Sequence, residues 1–113
     1  MLRKQVAQKP VLWMGSTYKD LLAFPDAVRK KAGFQIHRLQ FGLEPEDWKS
    51  MPEIGPGICE IRINDSAGVY RLMYVARLEN AIYVLHCFHK KTQRTTQHDK
   101  AVARARYQAL LSR

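Results

Sequence analysis

The chain has 113 residues, the length of one ordinary domain, and its 46% hydrophobic and 26% charged residues exclude a wholly disordered chain. No apolar run approaches the roughly 18 residues that cross a bilayer. Lys and Arg number 19 against 10 Asp and Glu, a formal charge of +9, so a polyanion is the first partner to consider.

Residues 1–10 (MLRKQVAQKP) carry Arg3, Lys4 and Lys9, and the apolar run that follows is only Val11, Leu12, Trp13 and Met14. A secretory segment needs about 7–15 apolar residues. The reading is one domain over 1–113, without an export signal and placed in the cytoplasm, with 1–10 as a flexible extension. The run 11–14 predicts a short strand. Ser16 or Thr17 is placed to cap a short helix over 18–23, and Pro25 with Asp26 opens a longer one. Phe24, Val28, Ala32, Ile36 and Leu39 recur every three or four residues, which gives that helix a buried face. Lys30, Lys31 and Arg38 lie mostly off this stripe, and Gly42 is the expected stop. His37 reads as a surface or boundary residue.

Residues 43–57 (LEPEDWKSMPEIGPG) hold three of the five prolines and read as a loop, pinned by Trp48, Met51 and Ile54. Three strands follow. Residues 58–63 (ICEIRI) put Cys59, Ile61 and Ile63 on one face and Glu60 and Arg62 on the other. After a turn at 64–68, residues 69–77 put Tyr70, Leu72 and Tyr74 on one face and Arg71 with Met73 on the opposite one. Glu79 and Asn80 close a hairpin into 81–88 (AIYVLHCF), a strand apolar on both faces as a central strand is. Within it His86 reads as a core histidine. Cys59 and Cys87 lie in apolar runs and read as reduced thiols, and no Cys/His spacing suggests a metal. Thr95 or Thr96 caps a last helix with Val102, Ala105 and Ala109 on its apolar side and a solvated His98 in its first turn. The sum is an α+β domain: a small, mostly antiparallel sheet with helices packed on one face and the other face open or covered by a partner.

The open face carries the chemistry. Arg62 and Arg71 on adjacent strands converge with Lys90 and Lys91 at the end of the central one. Four cations repel unless an anion sits among them, and an RNA phosphate fits: Arg clamps it bidentately and Lys acts as a point charge. Cleavage of RNA by its own 2′-hydroxyl needs a base, an acid and cations for the transition state, and it needs no metal or cofactor. Arg71 suits charge stabilisation, and Lys90, Lys91 or His89 suits proton transfer. Phe88 either stacks on a base or belongs to the core. Glu60 beside Arg62 reads as an ion-pair partner or a base at the RNA-binding surface, to which Arg94 also belongs. A non-catalytic RNA-binding module and a protein-interaction module would use the same face, so both stay open at this point.

The motifs K19-D-L-L, F24-P-D-A-V-R, W48-K-S-M-P, G57-I-C-E-I-R, Y70-R with Tyr74, and L85-H-C-F-H-K-K-T appear in this order between about Lys19 and Leu110. In this the chain resembles toxins of the RelE/HigB superfamily, in their phage-derived branch, from type II toxin–antitoxin systems. The resemblance implies a RelE-like microbial RNase fold. It further implies a ribosome-dependent mRNA endonuclease that cuts in the A site, inhibits translation and leaves a 2′,3′-cyclic phosphate and a 5′-hydroxyl. It implies as partners ribosomal RNA and a cognate antitoxin of helix-turn-helix type, with no membrane. Arg71, Arg62, Lys90, Lys91 and Phe88 fall on the family's Tyr-Arg, Glu-Ile-Arg and aromatic–Lys-Lys positions. The chain departs at Thr96, where many relatives carry proline, so a different start to the last helix is expected.

Overall fold

A computed structural model describes residues 8–76 and 81–113. The elements in chain order are β1 (Val11–Trp13), α1 (Thr17–Leu22), α2 (Asp26–Gln40), β2 (Trp48–Ser50), β3 (Ile58–Asp65), β4 (Gly68–Val75), β5 (Ile82–Lys90) and α3 (Gln97–Leu111). The strands form one sheet in the order β1-β5-β4-β3-β2. β1 runs parallel to β5, and the other neighbouring pairs are antiparallel. The α+β class and the largely antiparallel sheet therefore stand. The turn read at Glu79 and Asn80, and Arg77 before it, lie outside the described residues.

Residues 43–57 are not loop throughout. Trp48, Lys49 and Ser50 pair with Ile61, Glu60 and Cys59 and add an edge strand. All three side chains are exposed, so this strand shows no apolar alternation. Met51 and Ile54 do pin the segment, while Trp48 stays 37% exposed. Residues 8–10 are not loose either: Lys9 N–H donates to the Gln40 carbonyl and Gln40 Nε2 to the Lys9 carbonyl.

The helices divide between both faces of the sheet, which corrects the expectation of packing on one face. The α2 stripe of Val28, Ala32, Ile36 and Leu39 packs with Ile61, Ile63, Tyr70, Leu72, Tyr74, Ile82 and Val84. On the other face Ala103, Tyr107 and Leu110 of α3 cover Ile58, Met73, Val75, Tyr83 and Leu85. Strand apolarity on both faces demands this second cover. The buried side of α3 is thus turned away from Val102, Ala105 and Ala109, none of which is fully buried. β5 also carries an irregularity: Met73 faces His86 while Tyr74 faces Val84, so Leu85 is an extra residue and a bulge. Leu85 and His86 both point to the α3 side as a result.

The ends of the helices follow local chemistry. Gly42, at φ 80°, takes the left-handed conformation that glycine adopts without strain. Its N–H donates to the Leu39 carbonyl and that of Leu43 to Arg38, a Schellman stop. Thr96 caps α3: Asp99 N–H donates to Thr96 Oγ1 at 3.1 Å, and that hydroxyl donates to Asp99 Oδ2 at 2.7 Å. Ser16 sits at the start of α1 without capping an N–H, since its hydroxyl donates to Asp20 instead. Both cysteines are thiols, and burial pushes that of Cys87 up to about 12.

Candidate active site

The register of β3, β4 and β5 builds the site. Arg62 lies directly opposite Arg71, Arg71 opposite Phe88, and Val69 opposite Lys90. Partners across a ladder share a face, so Arg62, Arg71 and Lys90 project together on the α3 side of the sheet. The helix covers one end of that face and leaves the other to these cations. Lys91 follows β5 and lines the same hollow as Arg71, Lys90 and Thr92. Arg71, Lys90 and Lys91 thus line one hollow together.

A second hollow of about 300 Å³ adjoins the first, and Lys90 and Gln93 line both. Its walls are Lys49 of β2, Arg62 of β3, and Arg94, Thr95 and Gln97 at the start of α3. Glu60 is part of this lining, at only 2% exposure. Thr95 Oγ1 donates to Glu60 Oε2 at 2.9 Å, and Arg71 Nε lies 3.4 Å from Glu60 Oε1. The ion pair expected between Glu60 and Arg62 is thus made with Arg71, its diagonal neighbour on the next strand. Arg71 is 6% exposed and donates from Nη1 to the Tyr70 carbonyl. Nε of Arg71 and Nε of Arg62 are both buried without a hydrogen-bond acceptor among the described residues. Arg71 Nε already faces the Glu60 carboxylate, whereas Arg62 Nε beside the hollow is a donor that an anionic oxygen would complete.

Electrostatics match the geometry. Partial burial lowers the pKa of Lys90, and the nearby Arg71 and Arg62 push the same way, against Glu60. Burial likewise lowers that of Arg71, with Glu60 opposing it.

Two candidates fall elsewhere. His89 pairs with Tyr70 and stacks on it at 4.5 Å, on the α2 side of the sheet, so it does not join Arg71 and Lys90. Phe88 points the right way but is buried and stacks on His86, which makes it a core residue rather than a platform for a base. Lys49, Gln93 and Thr95 are site residues that the sequence does not announce. Lys49 is hidden with its strand, and Thr95 reaches Glu60 across 35 positions of chain, a distance no local pattern reports. Among the described residues no three His, Cys, Asp or Glu side chains gather as they do around a metal ion. Nor is any helix there long and apolar enough to cross a membrane.

Fold and cleft together define a small basic α+β domain with a hollow lined by cations at the uncovered end of its sheet. More narrowly, the chain belongs to the family described as Phage derived protein Gp49-like (DUF891), which matches residues 19–108. This is a toxin-like family of toxin–antitoxin systems. No curated protein matches the chain.

Proposed function

We propose that the protein is an endoribonuclease toxin that cuts messenger RNA on the ribosome and is held in check by a cognate antitoxin, of helix-turn-helix type. The observation that carries this reading is the meeting of Arg62, Arg71 and Lys90 on one sheet face beside the two adjoining hollows. The RNA 2′-hydroxyl loses its proton and attacks the adjacent phosphorus. The P–O5′ bond breaks, and the 5′-oxygen takes up a proton. The products are a 2′,3′-cyclic phosphate and a 5′-hydroxyl, and neither step calls for a metal.

Each role follows from position. Arg62 and Arg71 offer guanidinium donors to the phosphate oxygens, whose charge grows in the transition state. Lys90 lines both hollows and takes the proton-transfer role, with partial burial, Arg71 and Arg62 moving its pKa down. Lys91 and Arg94 are exposed on either side and guide the sugar–phosphate chain. Glu60 holds Arg71 through one carboxylate oxygen and accepts from Thr95 on the other. The excess of positive charge suits docking on ribosomal RNA.

The test is inducible expression in bacterial cells with mapping of mRNA 5′ ends. Lys90→Ala and Arg62→Ala are the variants of choice, because neither side chain is fully buried. Wild type arrests growth and produces cuts in register with translated codons. Each variant slows cleavage by roughly a hundredfold while melting as wild type does. Folded wild-type protein that causes neither arrest nor cuts would end this reading and leave RNA binding without cleavage.

A further inference from the structure

His86 is buried at 9% exposure beside the β5 bulge, and only one of its nitrogens is satisfied. Its ring stacks on Phe88 with centroids 4.7 Å apart. Nε2 lies 2.8 Å from Asp99 Oδ1. A carboxylate oxygen accepts, so Nε2 carries the hydrogen and Nδ1 keeps its lone pair. Nδ1 is buried with no partner among the described residues.

Asp99 connects this ring to the cleft. It completes the cap of α3 with Thr96, and the adjacent Thr95 donates to Glu60 beside Arg71. Residues 91–96 therefore form a strap fixed to β5 twice. One end continues the strand from Lys90, and the other is tied back through Asp99 to His86. Between the two ties the strap supplies Lys91, Gln93 and Arg94 to the hollows.

We propose that His86 is a positioning residue of the cleft: bonded to Asp99, it fixes the first turn of α3 and thereby the Thr95 hydroxyl on Glu60, and its protonation loosens anion binding. The inference rests on the cleft being an anion site, as proposed above, and not on RNA cleavage. The charged groups that act on the ring are Asp99 and Arg106 on α3 and Asp20 on α1. Burial holds the ring below the ordinary histidine range and Arg106 adds to this, while Asp99 and Asp20 oppose it. A second proton goes to Nδ1, which has no acceptor. The ring must then leave its stack on Phe88 or admit water, because an unpaired buried donor is costly.

Sulfate titrations followed through the backbone amide resonances of Arg62, Arg71 and Lys90 test the proposal, since sulfate keeps its charge as pH changes. They are run at about pH 8 and about pH 4.5, the lower point set well below the ordinary histidine value because burial holds the folded ring beneath it. Wild type binds sulfate more weakly at the lower pH. His86→Leu binds roughly tenfold more weakly at both, as for the loss of one buried hydrogen bond. His86→Gln, whose amide still donates to Asp99 and does not titrate, keeps the affinity at the higher pH and loses less of it at the lower. Asp99→Ala, which removes the acceptor of the His86 bond but keeps the backbone N–H that Thr96 caps, weakens binding as His86→Leu does and guards against a His86→Leu chain that fails to fold. Wild-type affinity in folded His86→Leu or Asp99→Ala would overturn the proposal alone, as would equal wild-type affinity at both pH values or full acid weakening in His86→Gln. Wild type that binds no sulfate at either pH would overturn it together with the anion-site reading.

Discussion

Glu60 and Arg71 are both charged groups in the interior, and each is held by the other and by a neighbour: Thr95 for the carboxylate, the Tyr70 carbonyl for the guanidinium. Removing one leaves the other buried and uncompensated. Arg71→Ala is therefore expected to lower stability by about 3–5 kcal/mol in denaturant unfolding, whereas Lys91→Ala, on an exposed side chain, stays within about 0.5 kcal/mol. An Arg71→Ala midpoint equal to wild type would mean that the pair is not a structural one. His86 gives the residue scale its pH dependence. Its pKa is lowered by folding, so above about 6.5 both folded and unfolded chains hold it neutral and its contribution is complete. As pH falls below that value the unfolded chain takes up the proton first, and stability declines until the folded ring titrates too. Melting temperature should drop through this window in wild type and less in His86→Gln. At this scale the sequence is readable where one strand decides. The faces of Glu60, Arg62 and Arg71 follow from alternation, but the partner of Glu60 follows from strand register, which no single segment contains.

Elements with strong local chemistry match their sequence. The α2 stripe is apolar at every buried position, and Gly42 ends the helix where a left-handed residue is needed. Gly42→Ala should cost about 1 kcal/mol in denaturant unfolding, because the strain arises from φ and not from crowding. Thr96→Ala should cost about 1 kcal/mol as a lost cap and also weaken sulfate binding, since the same turn places Thr95. A stability loss without a change in binding would separate the cap from the cleft. β2 is invisible in the sequence because an exposed three-residue edge carries no hydrophobic period. α3 offers two faces at helical spacing. The sheet selects the one with Tyr107 and Leu110, whose larger side chains cover Met73 and Tyr83. The division of helices between two faces is hidden for the same reason, since the covering role of α3 depends on that choice.

At the scale of the whole molecule, part of the excess positive charge gathers at the sheet end that α3 leaves bare. RNA binding should weaken steeply with salt. Replacing Arg62 or Lys90 with Ala should reduce the slope of log affinity against log salt by about one for each phosphate that is no longer neutralised. An unchanged slope in both variants would place the RNA elsewhere. The parallel pairing of β1 with β5 adds a different consequence. The earliest strand to be synthesised waits for the latest, and the intervening chain must be in hand before the two can meet. The cleft shares that timing, because Lys90, Thr95 and Asp99 all follow the bulge in β5. A nascent polypeptide stalled or released before this point has Arg62 and Arg71 but neither the strap nor the cover of α3, so interrupted translation yields fragments without an assembled site.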